Sequence, residues 1–303
     1  MELNVLKSDR LEAVICPGIG GSIYSLKYNK NGKWLDVMRP TPREAVDNRD
    51  SGAFASFHLM PYSNRIENGK LVYKGREYTL RTNAEGHAIH GDVHDRPWKV
   101  LSATESELLL SFDSRDFDDI NWPFPFSGKM GFGVKENMFT MFFSIKNEWD
   151  EPVPAGLGTH PYFVKRLTDA DREVLVTLPQ KGLYPGSTPI PTGTWVDLPP
   201  ELDFTKERAL DDNQFIDNCF RAKQGTTIIK WPGTGVRLTM DASSCFEHLV
   251  FYTPLEKDFF AVEPVTNCNN GFNMAERGIS DTGTIILNPE EKLYGTVLIV
   301  VEG

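Results

Sequence analysis

The stretch "HLVFYTPLEKDFFAVEPV", residues 248–265, holds two short apolar runs on either side of a polar turn. Both runs are rich in aromatic and β-branched residues, which favour strands over helices. One charged residue, Glu263, interrupts the second run just before Pro264. The stretch therefore predicts two neighbouring strands, with a partly desolvated carboxyl group where the chain is otherwise apolar.

Strand-like runs of this kind recur along most of the chain. They are "ELLLSF" (107–112), "MFTMFFSIKN" (138–147), "REVLVTLP" (172–179), "TTIIKW" (226–231), "VRLTMDA" (236–242) and "LYGTVLIVVE" (293–302). Asn31-Gly32 and Lys74-Gly75 each separate two such runs, and residues that accept positive φ at those points predict hairpin turns. No stretch of ten or more residues has helical periodicity with caps. The pattern predicts an all-β protein, a large antiparallel β-sandwich formed by residues 1–303 as a single domain.

Two loop segments stand out between these runs. The proline-rich "YPGSTPIPTGTWVDLPP" (184–200) predicts a long surface excursion that forms one wall of a cleft. The glycine-rich "CPGIGGSIYSL" (16–26) has neither of the spacings that bind nucleotide phosphates, and no helix follows it. It predicts a tight turn between two strands.

Composition narrows the class of partner. The chain has 303 residues, a formal charge of −10 and no run of Lys or Arg, so neither nucleic acid nor an anionic membrane surface is an expected partner. A small neutral ligand fits better, and the sequence gives no prediction of oligomeric state. Four scattered cysteines without a CxxC pair predict free thiols in a reducing compartment. The first residues resemble no secretory signal and no apolar run reaches the ~20 residues of a membrane span, so we expect a soluble cytoplasmic protein.

Polar residues cluster at two early places. Asn64 and Arg65 follow an apolar approach in "MPYSNRIENG" (60–69), where the guanidinium either grips neighbouring hydroxyls or carboxylates or is a solvated side chain at a hairpin start. His87, His90 and His94, half of the six histidines, fall within eight residues. Three imidazoles suit a zinc site, but hydrogen-bonded loop histidines explain the pattern equally well.

Two further places suggest acid/base chemistry. His160 lies in "PAGLGTHPYF" (154–163) between small residues and Pro161, with aromatic residues behind it. A histidine held this way is expected to titrate near neutral pH, although a satisfied core histidine is the alternative. Burial of Glu263 is expected to raise its pKa towards the range of a general base. A buried glutamate without a task has a cationic partner, and none is adjacent in sequence.

Taken in order, these stretches resemble the aldose 1-epimerase (galactose mutarotase) family. The matching elements are "NRIENGKLVYKGREYTL" (64–80), the Ile89–Trp98 segment, "THPYF" (159–163), "IDNCF" (216–220) and "VEPVTN…FN" (262–273). The likeness runs from about residue 10 to the C-terminus and implies the family's galactose mutarotase-like β-sandwich. It also implies interconversion of the α and β anomers of a free aldose, without cofactor or metal.

The resemblance assigns roles to individual positions. Glu263 falls at the general-base position, His160 at the general-acid position, and His90 at a second histidine that supports the ring oxygen; these three are the predicted catalytic residues. The predicted substrate-binding residues are Arg65, Asn64 and Asp217, and no metal ligand is predicted. His87 and His94 are then neighbours of His90 without a role of their own.

Two positions depart from the family pattern. Val250 stands where many members have a glutamine that contacts the sugar, which puts a preference for galactose in doubt. His58 is unusual and is expected to reach into the cleft. Two alternatives remain: a hexose-6-phosphate epimerase of the same fold, with phosphate-binding candidates Arg39, Arg43, Arg49 and Arg96, and a sugar-binding protein without turnover.

Overall fold

A computed structural model describes residues 2–186 and 189–303. Within them the chain forms 25 strands, two short α-helices and four 3₁₀ turns. In chain order the strands are β1 (Asn4–Lys7), β2 (Leu11–Cys16), β3 (Ser22–Lys30), β4 (Lys33–Asp36), β5 (Ser56–Leu59), β6 (Arg65–Ile66), β7 (Lys70–Tyr73), β8 (Arg76–Thr79), β9 (Ala88–Ile89), β10 (Lys99–Ala103), β11 (Glu107–Asp113), β12 (Phe126–Lys135), β13 (Met138–Asn147), β14 (Val153–Ala155), β15 (Gly158–Val164), β16 (Leu175–Thr177), β17 (Gln180–Leu183), β18 (Arg208–Ala209), β19 (Ile216–Ala222), β20 (Thr227–Trp231), β21 (Val236–Ala242), β22 (His248–Thr253), β23 (Phe259–Val265), β24 (Ile285–Leu287) and β25 (Lys292–Glu302). The helices are α1 (Arg43–Asp47) and α2 (Gly271–Glu276), and the 3₁₀ turns are Ser51–Ala53, Glu67–Gly69, Ser114–Asp116 and Pro200–Leu202.

Two large antiparallel sheets contain most of these strands. The first has the order β1-β2-β3-β5-β15-β23-β22-β19-β17, with β4 paired to β3. The second has the order β10-β11-β12-β13-β25-β21-β20-β16-β18. The pairs β14–β24, β6–β9 and β7–β8 form small ribbons. This architecture confirms the predicted all-β antiparallel sandwich.

The predicted turns are confirmed. Asn31 and Gly32 have φ of 51° and 87° and join β3 to β4, and Lys74 and Gly75 join β7 to β8 with φ of 50° and 71°. The glycine-rich segment between β2 and β3 is a turn. A Cβ at Gly20, where φ is 63°, would lie 2.0 Å from the carbonyl oxygen of His94, so only glycine fits there.

The main apolar core lies between the two large sheets. Its members include Leu26 and Phe260 from the first sheet and Phe143 and Leu238 from the second. His58 belongs to this interior, and the expectation that it reaches into the cleft is wrong. Its Nδ1 lies 3.1 Å from the Thr159 hydroxyl, and its ring lies near that of Phe143. His58 lies on the inward face of β5 and its neighbour Phe57 on the outer face, since successive strand residues point to opposite sides.

The opposite face of the first sheet carries a second cluster of buried residues. Phe57, Tyr162, Cys219, Val250 and Ala261 are among its members, and they alternate along their strands with core residues. Tyr184 joins this cluster and Trp195 packs against it, so part of the proline-rich segment 184–200 does lie over this face. Ser187 and Thr188 of that segment lie outside the described residues. Because both faces of β23 are covered, its sequence is almost continuously apolar.

Two chemical features of the chain complete the description. Cys219, Cys245 and Cys268 are free thiols, as expected. The described residues form no helix long and apolar enough to cross a membrane.

Candidate active site

The register of the first sheet places a row of side chains across its outer face. Gly158 pairs with Val265 and Tyr162 with Ala261, so His160 on β15 lies opposite Glu263 on β23. His160 pairs on its other side with Phe57 of β5, and Glu263 pairs with Val250 of β22. The sequence places both groups here because each sits at an outward position in its strand's alternation. Backbone hydrogen bonds of the sheet therefore fix their separation.

His160 and Glu263 form a buried pair. His160 Nε2 lies 3.1 Å from Glu263 Oε1, and the two residues are 6% and 2% exposed. Glu263 Oε2 and His160 Nδ1 are buried and have no hydrogen-bond partner among the described residues. Buried polar atoms without partners are rare and often mark functional sites. The missing partner also argues against a satisfied core histidine at position 160.

Burial sets the protonation of the pair. Desolvation raises the pKa of Glu263 well above 4.5, and the charge of Asp217 adds to this rise while Arg65 opposes it. Desolvation, assisted by the charges of Arg39 and Arg65, lowers the pKa of His160 to about 3. The expectation for Glu263 is confirmed. The expectation that His160 titrates near neutral pH is wrong, because burial disfavours the imidazolium form in the free protein.

His90 approaches the pair from a loop above the sheet. Its ring centroid lies 5.5 Å from that of His160 and 5.4 Å from that of Phe57, in edge-to-face arrangements. His90 has a φ of 63°, a left-handed conformation that costs a non-glycine residue about 1–2 kcal/mol. Its Nδ1 is buried and meets no partner in the part of the chain that the structure describes, and desolvation holds its pKa well below 6.5. A strained backbone conformation thus places the His90 imidazole beside His160.

The other two histidines of the stretch have hydrogen bonds of their own, although the ring centroid of His94 lies 5.6 Å from that of Phe57. His87 Nδ1 accepts a hydrogen bond from the backbone of Asn68, and His94 Nδ1 lies 2.7 Å from the Ser51 hydroxyl. The described residues contain no group of three His, Cys, Asp or Glu side chains placed to hold a metal ion. The hydrogen-bonded loop interpretation therefore fits His87 and His94.

Arg65 lies at the rim of the same site and is buried, so a solvated arginine is not what the structure shows. Its Nη1 donates to the side-chain oxygen of Asn64 at 3.2 Å, and its Nη2 lies 3.8 Å from an Asp217 oxygen. The backbone N–H of Arg65 also donates to the Asn64 side chain at 2.9 Å. Desolvation raises the pKa of Asp217, against the opposing charge of Arg65. All six residues predicted for the site are thus brought together at one place.

Three residues of the site were missed by sequence reasoning. Phe57 stacks on His160 with ring centroids 4.6 Å apart. Glu85 forms an ion pair with Arg65 at 3.0 Å. Asn269 is buried, its amide donates to Pro189 at 2.6 Å, and its side-chain oxygen has no partner within residues 2–186 and 189–303. Glu85, which precedes Gly86, and Asn269, in an asparagine-rich turn, could not be predicted as site residues from the sequence. Their partners lie far away along the chain.

Comparison with known proteins places the chain in a family. The family model described as aldose 1-epimerase matches residues 2–299. The chain belongs to the aldose 1-epimerase family. Among relatives, the uncharacterized protein YphB of Escherichia coli K12 is 26% identical over 284 residues, which cover 89% of this chain and 91% of YphB.

Solved structures agree on the fold of this aldose 1-epimerase family member. A galactose mutarotase-like protein from Clostridium acetobutylicum has a TM-score of 0.87 at 20% identity, with 99% of this chain and 94% of that one covered. The GalM/aldose epimerase homologue from C. elegans has a TM-score of 0.83 at 18% identity, with coverage of 99% and 98%. At these identities the likeness establishes the galactose mutarotase-like fold alone.

Val250, where many members of the aldose 1-epimerase family carry a glutamine, has a definite place here. It lies between Cys219 and Glu263 in the cross-strand row and is 1% exposed. An apolar side chain there removes a polar neighbour of the Glu263 carboxyl. It therefore adds to the desolvation that raises the pKa of Glu263.

The arginines considered for a phosphate group are largely engaged by the protein. Arg39 donates to the carbonyl oxygens of Gly52 and Phe54, and its guanidinium lies 3.6 Å from the centre of the Tyr162 ring. Arg49 donates to two backbone carbonyls, and Arg96 binds the carboxylates of Asp92 and Asp119. In this aldose 1-epimerase family member the three guanidinium groups thus donate to acceptors of the protein itself.

Proposed function

We propose that this chain interconverts the α and β anomers of a free aldose, a hexose or a related sugar, by general acid/base ring opening. One observation carries the proposal: the 3.1 Å contact between His160 and Glu263, whose other polar atoms are buried without partners. The hemiacetal oxygens O1 and O5 are bonded to the same carbon. An acid and a base that serve them must therefore lie close together, as this pair does.

The reaction proceeds by two coupled proton transfers. The Glu263 carboxylate removes the proton of O1 while the His160 imidazolium protonates O5, and the C1–O5 bond breaks to leave an open-chain aldehyde. The aldehyde rotates about C1–C2. It then closes on its other face as His160 takes the proton back from O5 and Glu263 returns one to O1. Each positioned transfer contributes about 10²- to 10⁴-fold, and neither step needs a cofactor or metal.

The cycle needs one proton on the pair. The raised pKa of Glu263 and the lowered pKa of His160 both favour the carboxyl group as the place of that proton in the free protein. Transfer from Glu263 to His160 within the pair creates the working carboxylate and imidazolium without exchange with solvent. Substrate hydroxyls that satisfy the unpartnered atoms of the pair stabilise this charged form.

The remaining residues bind the sugar. His90 supports the ring oxygen and the charge that develops on it, and Arg65 and Asp217 hold the hydroxyls from different edges of the ring. Asn64 holds the guanidinium of Arg65 through its side-chain oxygen and completes the set. A guanidinium and a carboxylate together match hydroxyls, which both donate and accept.

Polarimetry tests the proposed function directly. Fresh α-glucose, α-galactose and a panel of other aldoses are followed with wild type and with Glu263→Gln, after subtraction of the uncatalysed rate. Acceleration by wild type alone is the expected result, and the ranking of sugars then names the substrate. If only the 6-phosphates react, the hexose-6-phosphate alternative replaces this proposal. No acceleration with any sugar would favour a binding protein.

The pH profile of kcat/KM is expected to be broad. As pH falls, activity is lost when the pair gains a second proton. In this scheme the first proton is on Glu263 and the second binds His160. The lowered pKa of His160 therefore puts this step near pH 3, and not at 4.5, the ordinary pKa of a glutamate. As pH rises, activity is lost when the last proton leaves, at the raised pKa of Glu263. Initial rates across pH measure both limbs, with circular dichroism as the check on folding. An acid limb at 4.5 together with an alkaline limb at 6.5 would show instead that neither group has a shifted pKa.

Arg65→Ala is expected to raise KM by about 10- to 100-fold with a smaller change in kcat. The contact of Arg65 with a hydroxyl exists before the transition state, and a hydrogen bond to a charged group contributes about 1.5–3 kcal/mol. Arg65→Lys is the matched control, since it keeps the charge without the planar fork, and an intermediate KM is expected. Steady-state kinetics separates the two constants. A fall in kcat with KM unchanged would place Arg65 in the chemical step.

A further inference from the structure

The guanidinium of Arg65 is covered on its solvent side by the Glu85 carboxylate. Arg65 Nε and Nη2 both contact Glu85 Oε2, at 3.1 Å and 3.0 Å. The Arg65 side chain is 10% exposed and that of Glu85 is 57% exposed. Glu85 therefore occupies the Nε–Nη2 edge of the guanidinium, which is an edge that can bind an anion through two parallel hydrogen bonds.

A closed turn fixes the position of Glu85. The Asn83 side-chain oxygen accepts the backbone N–H groups of Glu85 at 3.0 Å and His87 at 3.2 Å. The backbone N–H of Asn83 donates to the His87 carbonyl at 2.7 Å, and Gly86 donates back to Asn83 at 3.0 Å. The carboxylate is thus presented to Arg65 by a turn with its own hydrogen bonds, rather than by a loose loop.

The charges around the pair leave little for an anion to bind. Arg39 and Arg65 are the cations whose charges act on His160. Arg39 donates to backbone carbonyls and stacks on Tyr162, so its groups serve the protein. Arg65 has a fork of donors suited to a phosphate or carboxylate, and Glu85 occupies it. Asp217 stands 3.8 Å from the same guanidinium and adds a second negative charge.

We infer that Glu85 is a specificity-determining residue that excludes anionic sugars, such as phosphorylated or carboxylated aldoses, and so restricts the site to uncharged aldoses. The inference rests on the proposed function, for which it names the substrate class. An anionic group that approaches Arg65 meets a carboxylate of like charge. A neutral hydroxyl meets no such repulsion and binds to the Arg65 donors that remain.

Glu85→Gln tests the inference, because glutamine keeps the shape and an acceptor oxygen for Arg65 but removes the charge. Calorimetry on the folded chain gives the Kd of glucose, glucose 6-phosphate and glucuronate for wild type and variant. We expect the affinity for each anion relative to glucose to rise by about tenfold or more in the variant. We also expect the rise to shrink at high salt, as electrostatic discrimination does.

The matched control is Glu77→Gln, which changes the net charge equally at a surface ion pair with Lys70. It is expected to leave the ratio of affinities unchanged. An unchanged ratio in Glu85→Gln, equal weakening of all three ligands in that variant, or no detectable binding of either anion by that variant would overturn the inference. Such results would leave Glu85 as a structural partner of Arg65. Failure of wild type in polarimetry would overturn the proposed function instead, and the binding ratio would still test Glu85.

Discussion

Replacing Glu263 with glutamine is expected to slow anomer interconversion by about 10²- to 10⁴-fold and, above pH 4.5, to make the folded protein more stable. The loss of rate follows because an amide cannot take the proton of O1. The gain in stability follows from the buried carboxyl group, which is 2% exposed. Polarimetry measures the first effect, and urea unfolding at several pH values measures the second.

The sign of the stability change comes from the raised pKa of Glu263. Above pH 4.5 the unfolded chain releases this proton while the folded chain keeps it, so wild-type stability falls as pH rises towards the folded-state pKa. One such proton contributes a slope of about 1.4 kcal/mol per pH unit. Glutamine has no proton to release and lacks this slope.

Glu12→Gln is the control for this variant, since Glu12 pairs with Lys7 on the surface. It is expected to keep wild-type activity and wild-type pH dependence of unfolding. If Glu263→Gln were instead less stable than wild type at pH 8, the ionised carboxylate would have stabilising partners in the folded state. Retention of most activity would remove Glu263 from the role of base.

Replacing His160 with alanine is the second large effect, and turnover is expected to fall by at least about 10²-fold. The variant loses the acid that serves O5 and leaves Glu263 Oε1 without its contact at 3.1 Å. It also opens a space between the rings of Phe57 and Tyr162, whose centroids lie 4.6 Å and 4.4 Å from that of His160. Added imidazole is expected to enter this space and restore part of the rate.

His87→Ala provides the matched comparison, because His87 accepts a backbone hydrogen bond away from the pair. It is expected to keep wild-type turnover. Polarimetry with and without imidazole separates loss of the acid from general damage to the fold. A folded His160→Ala protein with near wild-type turnover would contradict the assignment of the acid.

Local patterns were enough to predict the fold class. The turns at Asn31-Gly32 and Lys74-Gly75 depend on residues that accept positive φ, and the strands depend on short-range composition. The order of strands was beyond such reasoning. Pairing β15 with both β5 and β23 joins segments about 100 residues apart, and nothing local specifies that choice.

A site residue was predictable when its own sequence position showed its role. It was not predictable when its role depends on residues from distant parts of the chain. Glu263 was visible as a charge within an apolar strand, and its raised pKa follows from burial alone. The pKa of His160 was misjudged because its burial depends on Phe57, which comes from a distant strand. His58 was misplaced because β5 is buried on both faces, so alternation could not say which side it takes. Glu85 looks like an ordinary exposed glutamate in the sequence, and only the folded structure shows its ion pair with Arg65.

In this molecule the residues of the proton-transfer pair and some of the residues that select the sugar lie on different structural elements. Glu263 and His160 lie on neighbouring strands of a sheet, so the backbone hydrogen bonds between β15 and β23 set their spacing. Arg65, proposed to hold a sugar hydroxyl, and Glu85, proposed to exclude anionic sugars, come from a short ribbon and a turn outside that sheet. Sequence changes there can alter which sugar is accepted without disturbing the proton transfers. Substitutions that change the sugar specificity of this protein are therefore expected to leave its proton-transfer pair intact.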